Sequence, residues 1–419
     1  MRILLIHNRY QHSGGEDAVF AAESALLREN GHEVVEYIED NQLINGMSRA
    51  AVAVRAIWSR PTRRRLTQLL RDMQFDLVHF HNTFPLISPS AYSACREAKV
   101  PVVQTLHNYR LLCPAATLFR DGQLCEACLC KIPPWPGVWH ACYRESRSQS
   151  AIVAAMLSVH CWLKTWQEHV DIYIALTEFS KQKFIEGGLP SEKIHVKPNF
   201  VNPDPGLRKQ NGHYALFVGR LSPEKGVWTI LRAWGGLTGI PLKIVGDGPL
   251  LREVQAFVQK EKLESVEVLG RRTPTDVMLL MKGARFLVFS SEWYETFGRV
   301  AIEAFACGVP VIASRLGAMA EIVEEGRTGL LFQVGHPGDL SEKVRWAVDH
   351  TAALCRMGEN ARHIYEHKYT AEKNYNTLLD IYEQAIMKDS SDRTTVNHRS
   401  INYFSGRVRG ISKQPPSST

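Results

Sequence analysis

Short aliphatic runs alternate with stretches of helical spacing along most of this chain, and that alternation restricts its fold more than any other feature. Residues 2–7 read Arg-Ile-Leu-Leu-Ile-His, a continuous apolar run of strand length. A glycine-containing loop (Ser13, Gly14, Gly15) and a helical stretch at 18–30 follow, and Gly31-His32 stops the helix before a second run at 33–38. Strand, helix, strand is how a parallel doubly wound sheet begins, because a parallel pair needs a long crossover connection. The pattern returns at 76–80, 101–106 and 172–176, so residues 1–200 are expected to form an α/β domain. Pro198, Pro203, Pro205 and Gly206 interrupt it, after which it restarts at 215–219 and continues at 242–245, 266–269, 286–289, 310–313 and 329–332. A second Rossmann-like doubly wound domain is expected over 207–370. Residues 371–387 have helical spacing (Tyr375, Leu378, Leu379, Tyr382, Ile386), whereas 388–419 offer little to bury and are expected to be disordered.

With 419 residues, 45% of them hydrophobic, the chain is long enough for two domains that each bury a core. The net charge of +7 does not by itself indicate nucleic acid, because six of the bases against two acids lie in the tail from 388, and no nucleic-acid-binding module accompanies the rest. Residues 45–75 differ: they hold Arg49, Arg55, Arg60, Arg63, Arg64, Arg65 and Arg71 against Asp72 alone, interleaved with apolar residues. This segment is either a basic amphipathic surface for anionic lipid or substrate, or an ordinary solvated helix face. The run at 3–6 stops too early for a secretory signal, and the apolar stretch at 151–163 is too short to span a bilayer. A cytoplasmic protein is expected, at most peripheral on the inner face of the cell membrane.

The second half carries the chemistry. Gly219-Arg220 and Lys225-Gly226 place two cations five residues apart on a loop leaving a strand, a spacing that holds a diphosphate from two sides. Gly246-Asp247-Gly248-Pro249 is a turn at the carboxyl end of a strand, where open α/β sheets bind ligands. From 289 to 306 a strand ends, a loop carries Glu292 and Glu295, and Gly298 opens an apolar helix containing Glu303. Free N–H groups and the positive dipole end of that helix suit a phosphate or sugar oxygen. Glu303 would then accept the hydroxyls of a ribose and Glu295 a sugar hydroxyl, since an acid in an apolar helix is costly without partners.

Glu295 and Glu303 with seven residues between them, Gly219-Arg220, Lys225-Gly226, Gly246-Asp247-Gly248-Pro249 and Gly308-Val309-Pro310 together resemble the retaining glycosyltransferases of family 4 over residues 1–387. The resemblance implies the GT-B fold, in which two Rossmann-like domains face each other across an inter-domain cleft. It implies that Arg220 and Lys225 hold the donor diphosphate, that Glu303 holds the ribose, and that Glu295 with the backbone of Phe297, Gly298 and Arg299 holds the transferred sugar. Gly270 and Arg271 would lie beside the base, Gly14 and Gly15 would approach the diphosphate, and His107 would sit at the reacting centre. By themselves Gly14-Gly15 read as an ordinary turn and His107 as a structural histidine. Residues 371–387 would return to the first domain and act near a hinge for closure.

The implied reaction moves a hexose-type sugar from a nucleotide diphosphate sugar to a glycan or lipid-linked acceptor, as in synthesis of cell-surface polysaccharide or glycolipid. No cofactor is expected for catalysis: the chain has no Asp-x-Asp motif for a divalent metal, and fixed cations would stabilise the leaving diphosphate. Two other readings share the features, a GT-B phosphorylase or synthase using phosphate or a sugar phosphate as acceptor, and a non-catalytic scaffold of a polysaccharide-assembly complex. Finally, Cys113, Cys125, Cys128 and Cys142, with Cys130 and His140 as substitutes, lie in a proline-rich insertion at about 108–145. Their spacing suits structural zinc, with reduced thiols, disulfides or an iron–sulfur cluster as alternatives.

Overall fold

The computed structural model describes the backbone of residues 1–11 and 14–405, and side chains up to residue 388. In chain order the strands are β1 (Arg2–Arg9), β2 (Glu33–Asp40), β3 (Leu77–Asn82), β4 (Val102–Thr105), a small hairpin β5 (Phe119–Arg120) and β6 (Gln123–Leu124), β7 (Ile172–Ala175) and β8 (Ile194–Val196). The second half adds β9 (Tyr214–Val218), β10 (Leu242–Val245), β11 (Val266–Gly270), β12 (Ala284–Phe289), β13 (Val311–Ser314) and β14 (Gly329–Phe332). The first sheet has the order β2-β1-β3-β4-β7-β8 and the second β11-β10-β9-β12-β13-β14, with every pairing within both sheets parallel.

The aliphatic runs form these strands because parallel sheets are covered on both faces. Side chains alternate, so Leu4, Ile6, Val78 and Phe80 enter one layer, while Ile3, Leu5, Leu77, Val103, Ile172 and Ile174 enter the opposite one. Burying each such side chain is worth about 1.5–3 kcal/mol, so a polar residue at any of them is costly. The same period puts His79 and His81 on the second face, where polar groups must find partners.

Each sheet reverses its winding once, between β1 and β3 and between β9 and β12. At such a switch point the loops leave in opposite directions and open a crevice at the strands' carboxyl ends. The helix Gly15–Glu29 starts there in the first domain, and the helix Arg299–Ala306 in the second.

The last helix runs Ala371–Ser405. Leu378, Ile381, Tyr382 and Ala385 complete the apolar layer of the first domain. The Tyr382 hydroxyl lies 2.7 Å from His79 Nδ1 and that of Tyr375 2.8 Å from His32 Nε2. Of the tail expected to be disordered from 388, the residues up to Ser405 continue this helix, with no glycine or proline between 371 and 405 to stop it. The rest of that expectation, 406–419, lies outside the described residues. Among the described residues no helix is long and apolar enough to cross a membrane.

The basic segment is two helices, Arg49–Ile57 and Arg60–Asp72, with Pro61 in the first turn of the second. Its charge is smaller than the sequence count suggests. Arg55 and Arg65 each lie 3.4 Å from the buried Glu39 carboxylate, and Arg63 pairs with Glu97. Among the described residues no ion pair engages Arg49, Arg60, Arg64 or Arg71.

Candidate active site

In the second domain the loops after β9, β10 and β12 are packed backbone against backbone. Gly219 N–H donates to Val245 O at 3.0 Å and Leu221 N–H to Asp247 O at 2.9 Å. A Cβ on Gly246 would stand 1.8 Å from Gly219 O, and one on Gly248 2.4 Å from Leu221 O. These two glycines are thus required by contact between loops inside the chain, which brings the Arg220 loop against the turn. Lys225 ends a short 3-10 turn, Pro223–Lys225, closed by Gly226 in the left-handed region.

Of the cations and carboxylates named from the sequence, Lys225 and Glu295 come together at this end of the sheet. Lys225 Nζ lies 2.5 Å from Glu295 Oε1, which also accepts from Ser291 Oγ at 2.6 Å. Arg220 is exposed, with no carboxylate partner among the described residues. Gly298 has φ +101, and a Cβ there would meet Met319 Cε at 2.2 Å; only glycine lets the loop turn into the helix Arg299–Ala306 at this point. One turn into that helix Glu303 lies 3.0 Å from Arg299 Nε, and burial pushes its carboxyl above the ordinary value despite that guanidinium. Gly270, at the end of β11, has φ +67 with nothing near its missing side chain, and Arg271 beside it is exposed.

In the first domain Gly14 caps the helix Gly15–Glu29, and its N–H donates to Asp17 Oδ2 at 2.7 Å. A Cβ on Gly15 would meet nothing within 4 Å, so packing among the described residues does not demand glycine there. Asp17 lies 2.8 Å from His7 Nε2. Its neighbour Glu16 accepts from Asn108 Nδ2 at 2.6 Å and from the Tyr10 hydroxyl at 3.2 Å. This helix start is thereby tied to the segment after β4 that carries His107. Burial drives His107 down to about 3, with His7 and Lys197 adding to it, so the imidazole is neutral.

The two constellations meet. Thr296, between Glu295 and Phe297, donates through Oγ1 to the carbonyl of His107 at 2.8 Å. Thr177 Oγ1 in turn donates to Thr296 O at 3.2 Å, and the N–H groups of Glu178 and Phe179 donate to Glu321 at 3.0 and 2.9 Å. The loop that carries Glu295 therefore meets the segment that carries His107 from the opposite domain, although 188 positions separate the two residues in sequence.

Several members of this site were missed from sequence. His81 Nδ1 lies 3.0 Å from His107 Nε2, and Glu23, Lys197, Asn108 and Thr296 were not anticipated either. Only His79-Phe80-His81 carried a local signal, two histidines one residue apart and so on one face of a strand. Glu23, His79 and His81 are the one set of three candidate metal ligands within 4.8 Å of one another among the described residues. Lys197 Nζ sits 2.5 Å from Glu23 Oε1 and both His79 nitrogens have hydroxyl partners, so a cation already occupies the place a metal would take.

The cysteine insertion gathers the four chosen thiols more loosely. Burial pushes Cys128 up to about 12, with Cys113, Cys142 and Cys125 adding to it, and Cys142 rises through burial and then Cys113. Cys130 is directed elsewhere, its Sγ 2.9 Å from Glu186 O.

Residues 14–205 match the family described as Glycosyltransferase Family 4, and residues 201–364 that described as Glycosyl transferases group 1. An uncharacterized glycosyltransferase of Methanocaldococcus jannaschii is 35% identical over 214 residues, 51% of this chain and 60% of that protein. D-rhamnosyltransferase WbpZ of Pseudomonas aeruginosa is 31% identical over 193 residues, 46% of this chain and 50% of its own length. The chain thus spans about half the length of the curated relatives it matches. Among solved structures, Anabaena HepE in complex with UDP-glucose aligns over 93% of this chain and 100% of its own, with TM-score 0.63 and 21% identity. Sucrose-phosphate synthase of Thermosynechococcus elongatus aligns over 92% and 99%, with TM-score 0.69 and 17% identity. These likenesses establish the two-domain GT-B architecture.

Proposed function

We infer the reaction from one premise: the chain belongs to the group 1 glycosyltransferases, and is a transferase enzyme. It moves a hexose-type sugar from a nucleotide diphosphate sugar to a glycan or lipid-linked acceptor with retention of configuration and without a catalytic metal ion. The observation that carries this reading is the meeting of the loop that holds Glu295, paired with Lys225 just before the helix Arg299–Ala306, with the His107 segment of the other domain.

Breaking the bond between the anomeric carbon and the phosphate oxygen leaves negative charge on the diphosphate. Arg220, Lys225 and the free N–H groups at that helix start lie where this charge develops, so they bind the transition state more tightly than the ground state. Glu303 takes the ribose hydroxyls, and Glu295 with the backbone of Phe297, Gly298 and Arg299 positions the sugar. Gly270 and Arg271 flank the base, and the open backbone at Gly14-Gly15 approaches the diphosphate. The acceptor hydroxyl attacks from the face the phosphate leaves, and the departing phosphate oxygen takes its proton. Atoms and charge then balance with no covalent enzyme intermediate.

The acceptor is assigned to the first domain. A lipid-linked acceptor accords with the helix Arg49–Ile57, whose Val54 is exposed beside Ala50, Ala51 and Arg55. The relatives' names, a rhamnosyltransferase and a lipopolysaccharide N-acetylglucosaminetransferase among them, accord with cell-surface glycan or glycolipid synthesis. Cys113, Cys125, Cys128 and Cys142 are read as ligands of a structural zinc ion. Tetrahedral coordination needs the sulfurs about 3.8 Å apart, and among the described residues no three of these thiols lie within 4.8 Å of one another, so zinc would draw them together. Metal analysis of anaerobically purified protein tests this, and absence of zinc refutes it.

The reaction is tested by incubating purified protein with UDP-sugars and GDP-sugars, with soluble or lipid-linked acceptors, while following nucleoside diphosphate release and the anomeric configuration of the product. Inversion would contradict the mechanism. Donor cleavage only with inorganic phosphate would favour the phosphorylase reading, and none with any donor the scaffold.

A further inference from the structure

A buried row of polar side chains leads away from the cleft behind His107 and has no part in the chemistry above. It runs from His107 Nε2 to His81 Nδ1 at 3.0 Å, from His81 Nε2 to Glu23 Oε2 at 3.4 Å, and from Glu23 Oε1 to Lys197 Nζ at 2.5 Å. Glu23, His81 and Lys197 are all but inaccessible to solvent. They come from the helix Gly15–Glu29, β3 and the segment after β8.

We propose that Lys197 and Glu23 act through His81 as positioning residues that fix the tautomer of His107, so that its Nδ1 meets the sugar as a hydrogen-bond acceptor. The direction of the row follows from donor and acceptor capacity. A lysine ammonium only donates and a carboxylate only accepts. Glu23 Oε2 and His81 Nε2 are both buried, and neither has another hydrogen-bond partner among the described residues. An orphaned buried pair of this kind is costly, and a small approach from 3.4 Å satisfies both atoms if His81 Nε2 carries the proton. A neutral imidazole has one N–H. His81 Nδ1 is then an acceptor, so the bond to His107 must be donated by His107 Nε2–H, which leaves the lone pair on His107 Nδ1. Burial beside His79, His7 and Lys197 keeps His81 neutral, as the chain of bonds requires.

This narrows what His107 does, on the reading that the cleft is the site of sugar transfer. An imidazole that presents a lone pair accepts from a sugar hydroxyl; it neither donates to the leaving phosphate nor places positive charge beside it. The residues of the row are far apart in the chain (23, 81, 107 and 197) and only the switch-point geometry of the first sheet assembles them.

Glu23→Gln inverts the row. The Lys197 ammonium holds the amide oxygen, so the amide NH2 turns to His81 Nε2 and donates to it. His81 then carries its proton on Nδ1 and donates to His107, whose own proton moves to Nδ1. The test is nitrogen NMR of the full chain with 15N-labelled histidine rings, in the absence of ligand, the His107 signal being identified by its loss in His107→Gln. The expected result is the Nε2–H tautomer in the wild type and the Nδ1–H tautomer in Glu23→Gln. An Nδ1–H tautomer in the wild type overturns the proposal without reference to any variant's folding, as does a tautomer unmoved by Glu23→Gln in protein that still melts cooperatively. Turnover of UDP-glucose as the probe donor gives a second readout. Glu23→Gln is expected to lower kcat about tenfold, the effect of about one hydrogen bond, and to have no further effect in a His107→Ala background, because the row acts only through His107. An equal loss in both backgrounds overturns the proposal. Failure of the transfer reading would appear as absence of turnover in the wild type, and leaves the tautomer measurement decisive.

Discussion

Replacing Glu295 by glutamine should move donor binding and donor chemistry in opposite directions. The Glu295 carboxylate holds Lys225 at 2.5 Å and accepts from Ser291 at 2.6 Å. The Lys225 ammonium must therefore leave or share this partner when a diphosphate arrives. A hydrogen bond between charged groups is worth about 1.5–3 kcal/mol. The pair keeps 22% and 10% of its side-chain surface exposed, so solvent screening reduces the competing energy to about 1 kcal/mol. Glu295→Gln preserves shape, removes the charge and frees Lys225, so UDP should bind about fivefold more tightly. The same change takes a charged acceptor from the sugar, and the loss of about 1.5–3 kcal/mol lowers kcat about 10- to 150-fold. Calorimetric titration of UDP into both proteins gives the first quantity, and steady-state release of UDP from UDP-glucose the second. If affinity and kcat fall together, Glu295 is a structural support of the loop and the competition argument is refuted.

Acid should destabilise the first domain steeply. His79, His81 and His107 are held below their ordinary pKa, first by burial, so below pH 6.5 the unfolded chain takes up three protons that the native state refuses. Their contribution is present above that pH and is lost as the pH falls, at about 3–4 kcal/mol between pH 6 and 5. Urea unfolding at the two pH values measures it, and a flat profile would show that these rings are protonated in the native state. Glu303→Gln should stabilise the protein at pH 7 while weakening UDP-sugar binding: burial raises the Glu303 pKa, so its charge opposes folding above that pKa and the opposition disappears as the pH falls through it. A variant that melts lower at pH 7 contradicts this. Gly246→Ala, at φ +148 with a Cβ 1.8 Å from Gly219 O, should cost about 3 kcal/mol or more; unchanged unfolding midpoints would show that the two loops separate freely.

What could be read from sequence was what local pattern encodes. The runs at 242–245 and 329–332 are strands with those same limits, because continuous aliphatic runs of that length have no other way to bury both faces. Gly298, Glu295 and Lys225 stood out in the sequence because each lies in a turn or helix start that directly follows a strand. β8 and the hairpin of β5 and β6 were missed, since Ile194–Val196 contains His195 and the hairpin strands are two residues each. The row behind His107 was invisible for a different reason: its four members lie on a helix, a strand and two loop segments, and nothing in the spacing of 23, 81, 107 and 197 links them. The ion pairs of the basic segment were illegible likewise, because the acids that pair with Arg55, Arg63 and Arg65 come from β2 and from the helix Ser90–Ala98.

The central claim is that Arg220 and Lys225 hold a nucleotide diphosphate across the second switch point without a metal ion. Calorimetric titration of UDP in the presence of EDTA tests it most directly, in the wild type and in Arg220→Ala/Lys225→Ala. The account predicts binding to the wild type that EDTA leaves unchanged, and a loss of at least about a hundredfold in the double variant, two charged contacts at about 1.5 kcal/mol or more each. UDP affinity that collapses in EDTA, or that survives removal of both cations, would contradict it.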